Sequence, residues 1–395
     1  MLVIHCDGSP TAVGELDDAM RGVLSGRAAL AVLGPEREPG AEPGAGAGAG
    51  AGAGPGRAVL PGDPGPGQLV IATSGSAGQP KWVQLGAAAL RASATATQSR
   101  LGGPGRWLLA LPAQHIAGLQ VLVRAALAGT RAEVLDLRGG FDPASFAATA
   151  RRLTGRCYTA LVPTQLARVL DAAPRALTGF DAVLVGGAAT PAAVVQRARA
   201  AGVRVMTTYG MTETAGGCVY DGRPLDGAQV RIAGLDVGRI ELAGPMLATG
   251  YLNAPAETAA AFRDGWFRTS DLGRLDTHGR LHVLGRADDV IVTGGINVAP
   301  AEVEAVLTAL PGVRAACVVG LPDPEWGERI AAAVVPADPA RPPDPGALHA
   351  AARCLLTGAQ TPKEIVLLDA LPLRGVGKPD RRAIRALLSA PVDNP

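Results

Sequence analysis

Apolar positions change their spacing several times along the chain, and each change predicts an element. Residues 68–73 form a short apolar run that enters a Gly-rich turn and reads as a strand; 106–111 and 182–185 repeat the pattern. After 182–185 come Gly186-Gly187 and then Thr190-Pro191, where the threonine hydroxyl is expected to cap a helix and the proline to fill its first turn. Gly202 supplies the stop, and 203–206 opens the next strand. Strand, helix, strand at this spacing is the βαβ unit of a sheet with parallel strands, so the fold class expected is α/β.

A different rhythm starts near Asp288. Val303, Val306, Leu307 and Leu310 fall at the i, i+3, i+4, i+7 spacing of an amphipathic helix, with Pro300 at its start. Strands are predicted at 315–319 and 364–368, and a last helix after Pro379 carries Ile384, Leu387 and Leu388. This is a compact α+β unit of about 105 residues, enough for a core of its own. The chain is therefore expected to divide into a large domain, 1–287, and a small C-terminal domain, 288–395. Within the large one, residues 40–67 are almost entirely Gly, Ala and Pro, with nothing to bury and maximal backbone entropy to lose, and predict a flexible surface loop.

Composition removes several function classes. With 48% hydrophobic residues, 18% charged and a formal charge of +2, the 395-residue chain reads as soluble and globular without electrostatic bias. Arg151-Arg152 and Arg381-Arg382 come without interleaved aromatics and predict solvated helix faces rather than a nucleic-acid surface. No run approaches the roughly 18 to 20 apolar residues of a membrane span, and Asp7 interrupts any signal-like start, so a cytoplasmic protein is expected. Cys6, Cys157, Cys218, Cys317 and Cys354 are scattered with no CxxC pair or zinc-finger histidine, which predicts reduced thiols.

Four segments carry candidate chemistry. Thr73-Ser74-Gly75-Ser76-Ala77-Gly78-Gln79-Pro80-Lys81 follows a strand; its hydroxyls, glycine amides and lysine suit a phosphate chain, although the GK[ST] ending of a Walker loop is missing. Thr207-Thr208-Tyr209-Gly210-Met211-Thr212-Glu213-Thr214 offers a ring to stack on a base, a hydroxyl for phosphate and a carboxylate for Mg²⁺. The third runs from Gly265 through Asp271 to Arg286-Ala287-Asp288-Asp289 and Gly294-Gly295, with acids and an arginine suited to a nucleotide edge. In the fourth, Leu371 to Pro379, Gly375 and Gly377 flank a loop that can carry Lys378 into a cleft. Each segment alone also fits a plain role: a flexible loop, a polar turn, paired turns with capping aspartates, a solvated lysine.

Taken in order, the four segments resemble the adenylate-forming superfamily of acyl-CoA synthetases, peptide-synthetase adenylation domains and luciferases, from about Leu69 to Leu388. The resemblance implies a large AMP-binding domain and a mobile small domain joined by a hinge. It implies that Thr73, Ser74, Gly75, Ser76, Gly78 and Lys81 hold the ATP β- and γ-phosphates, with departures from the usual pattern at Ala77 and Trp82. Gly186, Gly187 and Ala188 wall the adenine, Tyr209 beside Gly210 stacks on it, and Thr212 meets the α-phosphate. Glu213 binds Mg²⁺, and Asp271 and Arg286 meet the ribose. Lys378 is the lysine of adenylate formation, Asp288 the hinge, and Gly294-Gly295 part of the coenzyme A channel.

The stretch Leu111 to Leu119 resembles the family segment whose histidine, here His115, lies beside the acyl pocket. Arg124 interrupts an apolar run, where a guanidinium is costly unless it meets an anion, a water network or the surface. Together with the short chain, this stretch resembles the o-succinylbenzoate-CoA ligases of menaquinone biosynthesis, whose dicarboxylic substrate implies a cationic partner, assigned to Arg124. The expected co-substrates are ATP with Mg²⁺, coenzyme A and a small carboxylic acid, with self-association left open. Aryl- or fatty-acyl-CoA ligases of the same fold, or a stand-alone adenylation module loading a carrier protein, are the alternatives.

Overall fold

The computed structural model describes residues 1–34, 62–73, 81–374 and 378–389. Residues 40–61 of the expected loop at 40–67 therefore lie outside the described residues, as do Ser74, Gly75, Ser76 and Gly78.

The sequence patterns become four larger sheets flanked by helices. A seven-stranded sheet has Arg106–Leu109, Cys157–Leu161, Ala182–Val185 and Val205–Met211 as parallel neighbours, with Gly216–Tyr220 added antiparallel at one side. Its central strands are buried on both faces, which is why they read as continuous apolar runs such as Ala182-Val183-Leu184-Val185. Two apolar clusters, one built around Trp107, Leu109 and Tyr158 and one around Leu108, Phe146 and Val183, include the alternating side chains of these strands.

A five-stranded sheet joins Leu2–His5, Leu30–Leu33 and Gln68–Thr73 in parallel to the antiparallel Lys81–Gly86. The helix Pro10–Leu24 connects its first two strands, with Ser9 capping the Ala12 amide at 3.2 Å. A third sheet carries Gly238–Ala243, Trp266–Leu275 and Leu281–Arg286. Beyond residue 290 the chain builds a further sheet around the pair Val313–Asp323 and Gly327–Pro336, packed under Pro300–Ala309 on one side and Arg381–Ser389 on the other.

Three expectations need correction. Thr190 does not cap a helix: the helix runs Ala192–Ala200 with Pro191 at its N-cap position and no side-chain cap bond. The strand read at 315–319 extends over Val313–Asp323, because its polar and proline ends pair with Gly327–Pro336 through a hairpin that no apolar alternation announces. Arg381 is no solvated helix face. Its Nη2 donates to Glu304 Oε2 at 3.1 Å, its Nη1 to Glu304 Oε1 and to the Val318 carbonyl, and its Nε lies 3.4 Å from Asp289. Arg381 thus ties the segment just after Lys378 to Asp289, next to the expected hinge.

All five cysteines are free, four of them buried and Cys354 exposed. Among the described residues no helix is long and apolar enough to cross a membrane.

Candidate active site

Strands Cys157–Leu161 and Ala182–Val185 end at the level of Thr207, Val205–Met211 runs four residues further in the same direction, and their carboxyl ends lead into Val162, Gly186 and Thr212. In open α/β sheets that edge is where ligands bind, because side chains from successive turns converge there.

The phosphate segment is clasped at its base. Thr73 and Lys81 are cross-strand partners, and the Thr73 hydroxyl donates to the Lys81 carbonyl at 3.2 Å. Lys81 Nζ then lies 4.9 Å from the centre of the Tyr251 ring, and the Tyr251 hydroxyl donates to Glu213 Oε1 at 3.0 Å. Burial pushes the Glu213 carboxyl up from its ordinary range, against the backbone and Tyr251 donors and the Lys81 charge, which favour its ionised form. Thr214 braces this turn by accepting from the Met211 amide at 2.9 Å and donating to the Gly216 carbonyl at 2.7 Å. Ala215, at φ 49°, adopts the left-handed conformation that a non-glycine residue holds only when its surroundings impose it; its carbonyl accepts from the buried Ser93 hydroxyl at 2.9 Å.

The nucleoside residues form a second group. The Tyr209 hydroxyl donates to Asp271 Oδ2 at 2.8 Å, and Asp271 faces Arg286 across the antiparallel pair. Arg286 Nη2 in turn donates to Asp288 Oδ2 at 2.8 Å. Gly186 must be a glycine for a plain reason: a Cβ there would stand 2.2 Å from Thr208 Oγ1. Gly187 at φ 83° and Ala188 continue the same turn. Gly210 is equally constrained, since a Cβ would meet the Gly216 carbonyl.

The acyl side is set by the helix Ile116–Leu127, with His115 at its N-cap position. Although His115 is exposed to solvent, the protein crowded around its ring holds the imidazole below its ordinary pKa, and the positive charge of Lys378 pushes it the same way. Lys378, from a short strand paired with Leu373–Arg374, therefore stands close enough to His115 to be felt there. Arg124 does not snorkel: only 3% of the residue is exposed, its guanidinium lies 5.1 Å from the Trp107 ring centre, and its Nη2 reaches the Tyr220 hydroxyl at a long 3.5 Å. Burial lowers its pKa, and among the described residues no carboxylate pairs with it. Gly294-Gly295 turns at positive φ between two short strands and packs on Trp326, whose carbonyl accepts from the Gly294 amide at 2.9 Å.

Sequence reasoning missed Tyr251, Tyr220, Trp107, Gln120 and Ser93. One signal was available for the tyrosines: only four exist in the chain, and Tyr209, Tyr220 and Tyr251 all sit on or beside this cleft.

The residues expected to meet a nucleotide gather at the ends of these strands, and the comparisons with known proteins give the class: an adenylate-forming enzyme. Residues 36–252 match the family described as AMP-binding enzyme, residues 302–378 match its C-terminal domain, and the chain belongs to that family. A Mycobacterium tuberculosis (strain H37Rv) protein bearing the name "Probable 2-succinylbenzoate--CoA ligase" is 49% identical over 80% of this chain and 83% of its own length. The Bacillus subtilis o-succinylbenzoate CoA synthetase in complex with its acyl-adenylate intermediate has 31% identity and a TM-score of 0.72, over 80% of this chain and 68% of that one. ATP-bound MatB from Rhodopseudomonas palustris has 27% identity and a TM-score of 0.74, and covers 98% of this chain and 78% of its own.

Proposed function

We propose that the chain is an ATP-dependent acid-thiol ligase that converts 2-succinylbenzoate to its CoA thioester through an acyl-adenylate, a step of menaquinone formation. The carrying observation is the cluster at the strand ends, where the Tyr251 hydroxyl donates to Glu213 Oε1 at 3.0 Å with Lys81 Nζ 4.9 Å from the Tyr251 ring centre, and the Tyr209 hydroxyl donates to Asp271 Oδ2 at 2.8 Å. The family membership and the 2-succinylbenzoate ligases among the relatives support the choice of reaction and acid.

In this reading the substrate carboxylate attacks the α-phosphorus of ATP and pyrophosphate leaves. Lys378 stabilises the negative charge gathering between the two groups, a task that needs position rather than covalent chemistry. Thr73, Ser74, Gly75, Ser76, Gly78 and Lys81 hold the outgoing phosphates, and Thr212 meets the α-phosphate. Tyr209, held by Asp271, stacks on an adenine walled by Gly186, Gly187 and Ala188, while Asp271 and Arg286 take the ribose hydroxyls. Glu213 fits a Mg²⁺ ligand: it is a half-buried carboxylate, and Mg²⁺ is ordinarily held by one or two carboxylates together with phosphate oxygens. When bound, that ion neutralises charge on the phosphates.

The second half-reaction needs a rearranged site. We assign residues 288–395 to a mobile domain turning about Asp288, which withdraws Lys378 and brings Gly294-Gly295 toward the thiol's path. Arg124 supplies the positive charge for the acid's second carboxylate.

The test is pyrophosphate release with 2-succinylbenzoate, benzoate and medium-chain fatty acids, with and without CoA. Release dependent on 2-succinylbenzoate, followed by thioester when CoA is added, is expected. Preference for a monocarboxylic acid would overturn the choice of acid, and adenylate without thioester would overturn the choice of acceptor.

A further inference from the structure

No segment singled out in the sequence includes Tyr251, yet it touches two of the groups expected at the phosphates. It lies in the two-residue strand Gly250–Tyr251, which pairs antiparallel with Gln84 and Val83. Side chains two apart on a strand share a face, so Lys81 lies on the same face as Val83 and becomes a diagonal cross-strand neighbour of Tyr251. That is why Lys81 Nζ stands 4.9 Å from the ring centre, within the range of a cation–π contact. The far end of the ring reaches the turn Thr212–Thr214, where the hydroxyl donates to Glu213 Oε1 at 3.0 Å. The main chain makes the same link, since the Ala248 amide donates to the Glu213 carbonyl at 2.8 Å.

The surroundings of Tyr251 fix it in this pose. Only 8% of the residue is exposed, and Phe262 packs edge-on against the ring with centres 5.9 Å apart. Its amide donates to Thr258 Oγ1 at 2.9 Å, and a Cβ on Gly250 would run into the same threonine. A ring held this way presents a constant face and a constant hydroxyl. Lys81, by contrast, is exposed on a long flexible stem, so without the ring its ammonium can swing onto the nearby carboxylate. A direct Lys81–Glu213 ion pair would neutralise both charges before any phosphate arrived.

We infer that Tyr251 is a positioning residue for ATP: its ring face holds the Lys81 ammonium, its hydroxyl holds the Glu213 carboxylate, and the two opposite charges are kept apart for the phosphates and their cation. This rests on the roles proposed above for Lys81 and Glu213, and the experiment separates the two.

ATP binding is measured by calorimetry, first in EDTA and then with Mg²⁺, for the wild type, Tyr251→Phe and Tyr251→Leu, each also combined with Glu213→Gln. Tyr251→Phe keeps the ring face and its packing on Phe262 and loses only the hydroxyl. In EDTA its ATP affinity should stay within about twofold of the wild type, while the affinity gained on adding Mg²⁺ should shrink roughly tenfold, the scale of one hydrogen bond to a charged group. Tyr251→Leu removes the spacer as well and should weaken ATP in EDTA by roughly tenfold. With Glu213→Gln in place that loss should nearly vanish, because Lys81 then has no carboxylate to swing onto. A merely structural tyrosine would cost the same in both backgrounds, and that result would overturn the proposal. So would a Mg²⁺ gain that Glu213→Gln abolishes but Tyr251→Phe leaves intact, a comparison that decides even where Tyr251→Leu does not fold. A Glu213→Gln protein that keeps the full Mg²⁺ gain would instead overturn the cation site itself, and with it the part played by the hydroxyl.

Discussion

Replacing Lys378 by alanine is expected to slow acyl-adenylate formation by at least about a hundredfold, the usual cost of removing one preorganised charge from a developing transition state. Thioester formation from a supplied acyl-adenylate should survive, because in the proposed second orientation Lys378 has left the site. The same variant has a readout independent of rate. Lys378 contributes to holding the His115 imidazole down, so its removal should raise the His115 pKa in an NMR titration. Equal loss of both half-reactions, or an unmoved His115, would refute the placement.

Changing Glu213 to glutamine is the second large effect, again on the order of a hundredfold in adenylation, with a higher Mg²⁺ requirement. The amide keeps the shape and an acceptor for the Tyr251 hydroxyl, so the turn should hold while the charge is lost. The pH dependence has a definite sign. A carboxyl pushed up by burial takes its proton at a higher pH than an exposed one, and only the ionised form ligates a cation. Mg²⁺ affinity of the wild type should therefore fall on acidification, starting above the usual glutamate range, and the glutamine variant should show no such limb. A variant with wild-type Mg²⁺ dependence would remove Glu213 from the cation site.

What was legible in the sequence follows from how local its causes are. Thr212 and Glu213 sit on a turn and Arg286 at a strand end, while Tyr209 and Asp271 lie within the strands Val205–Met211 and Trp266–Leu275; each belongs to a short contiguous segment, and the order of those segments along the chain could be read. Tyr251 could not. It lies in a two-residue strand pairing with Gln84 and Val83, and only that distant pairing brings its hydroxyl to Glu213. Arg124 shows both sides, since its cost in an apolar run was visible but its burial against Trp107 and Tyr220 was not. Arg381 reads as one of a surface pair until folding delivers Glu304 and Asp289 to it.

The central claim is that an oxygen of the acid bonds to the α-phosphorus of ATP. Single-turnover reaction of carboxyl-¹⁸O-labelled 2-succinylbenzoate with ATP, Mg²⁺ and CoA, followed by mass spectrometry of the nucleotide, tests it directly. AMP carrying one labelled oxygen, with pyrophosphate and the CoA thioester as the other products, is the expected result. Unlabelled AMP, or ADP with the label in inorganic phosphate, would contradict it.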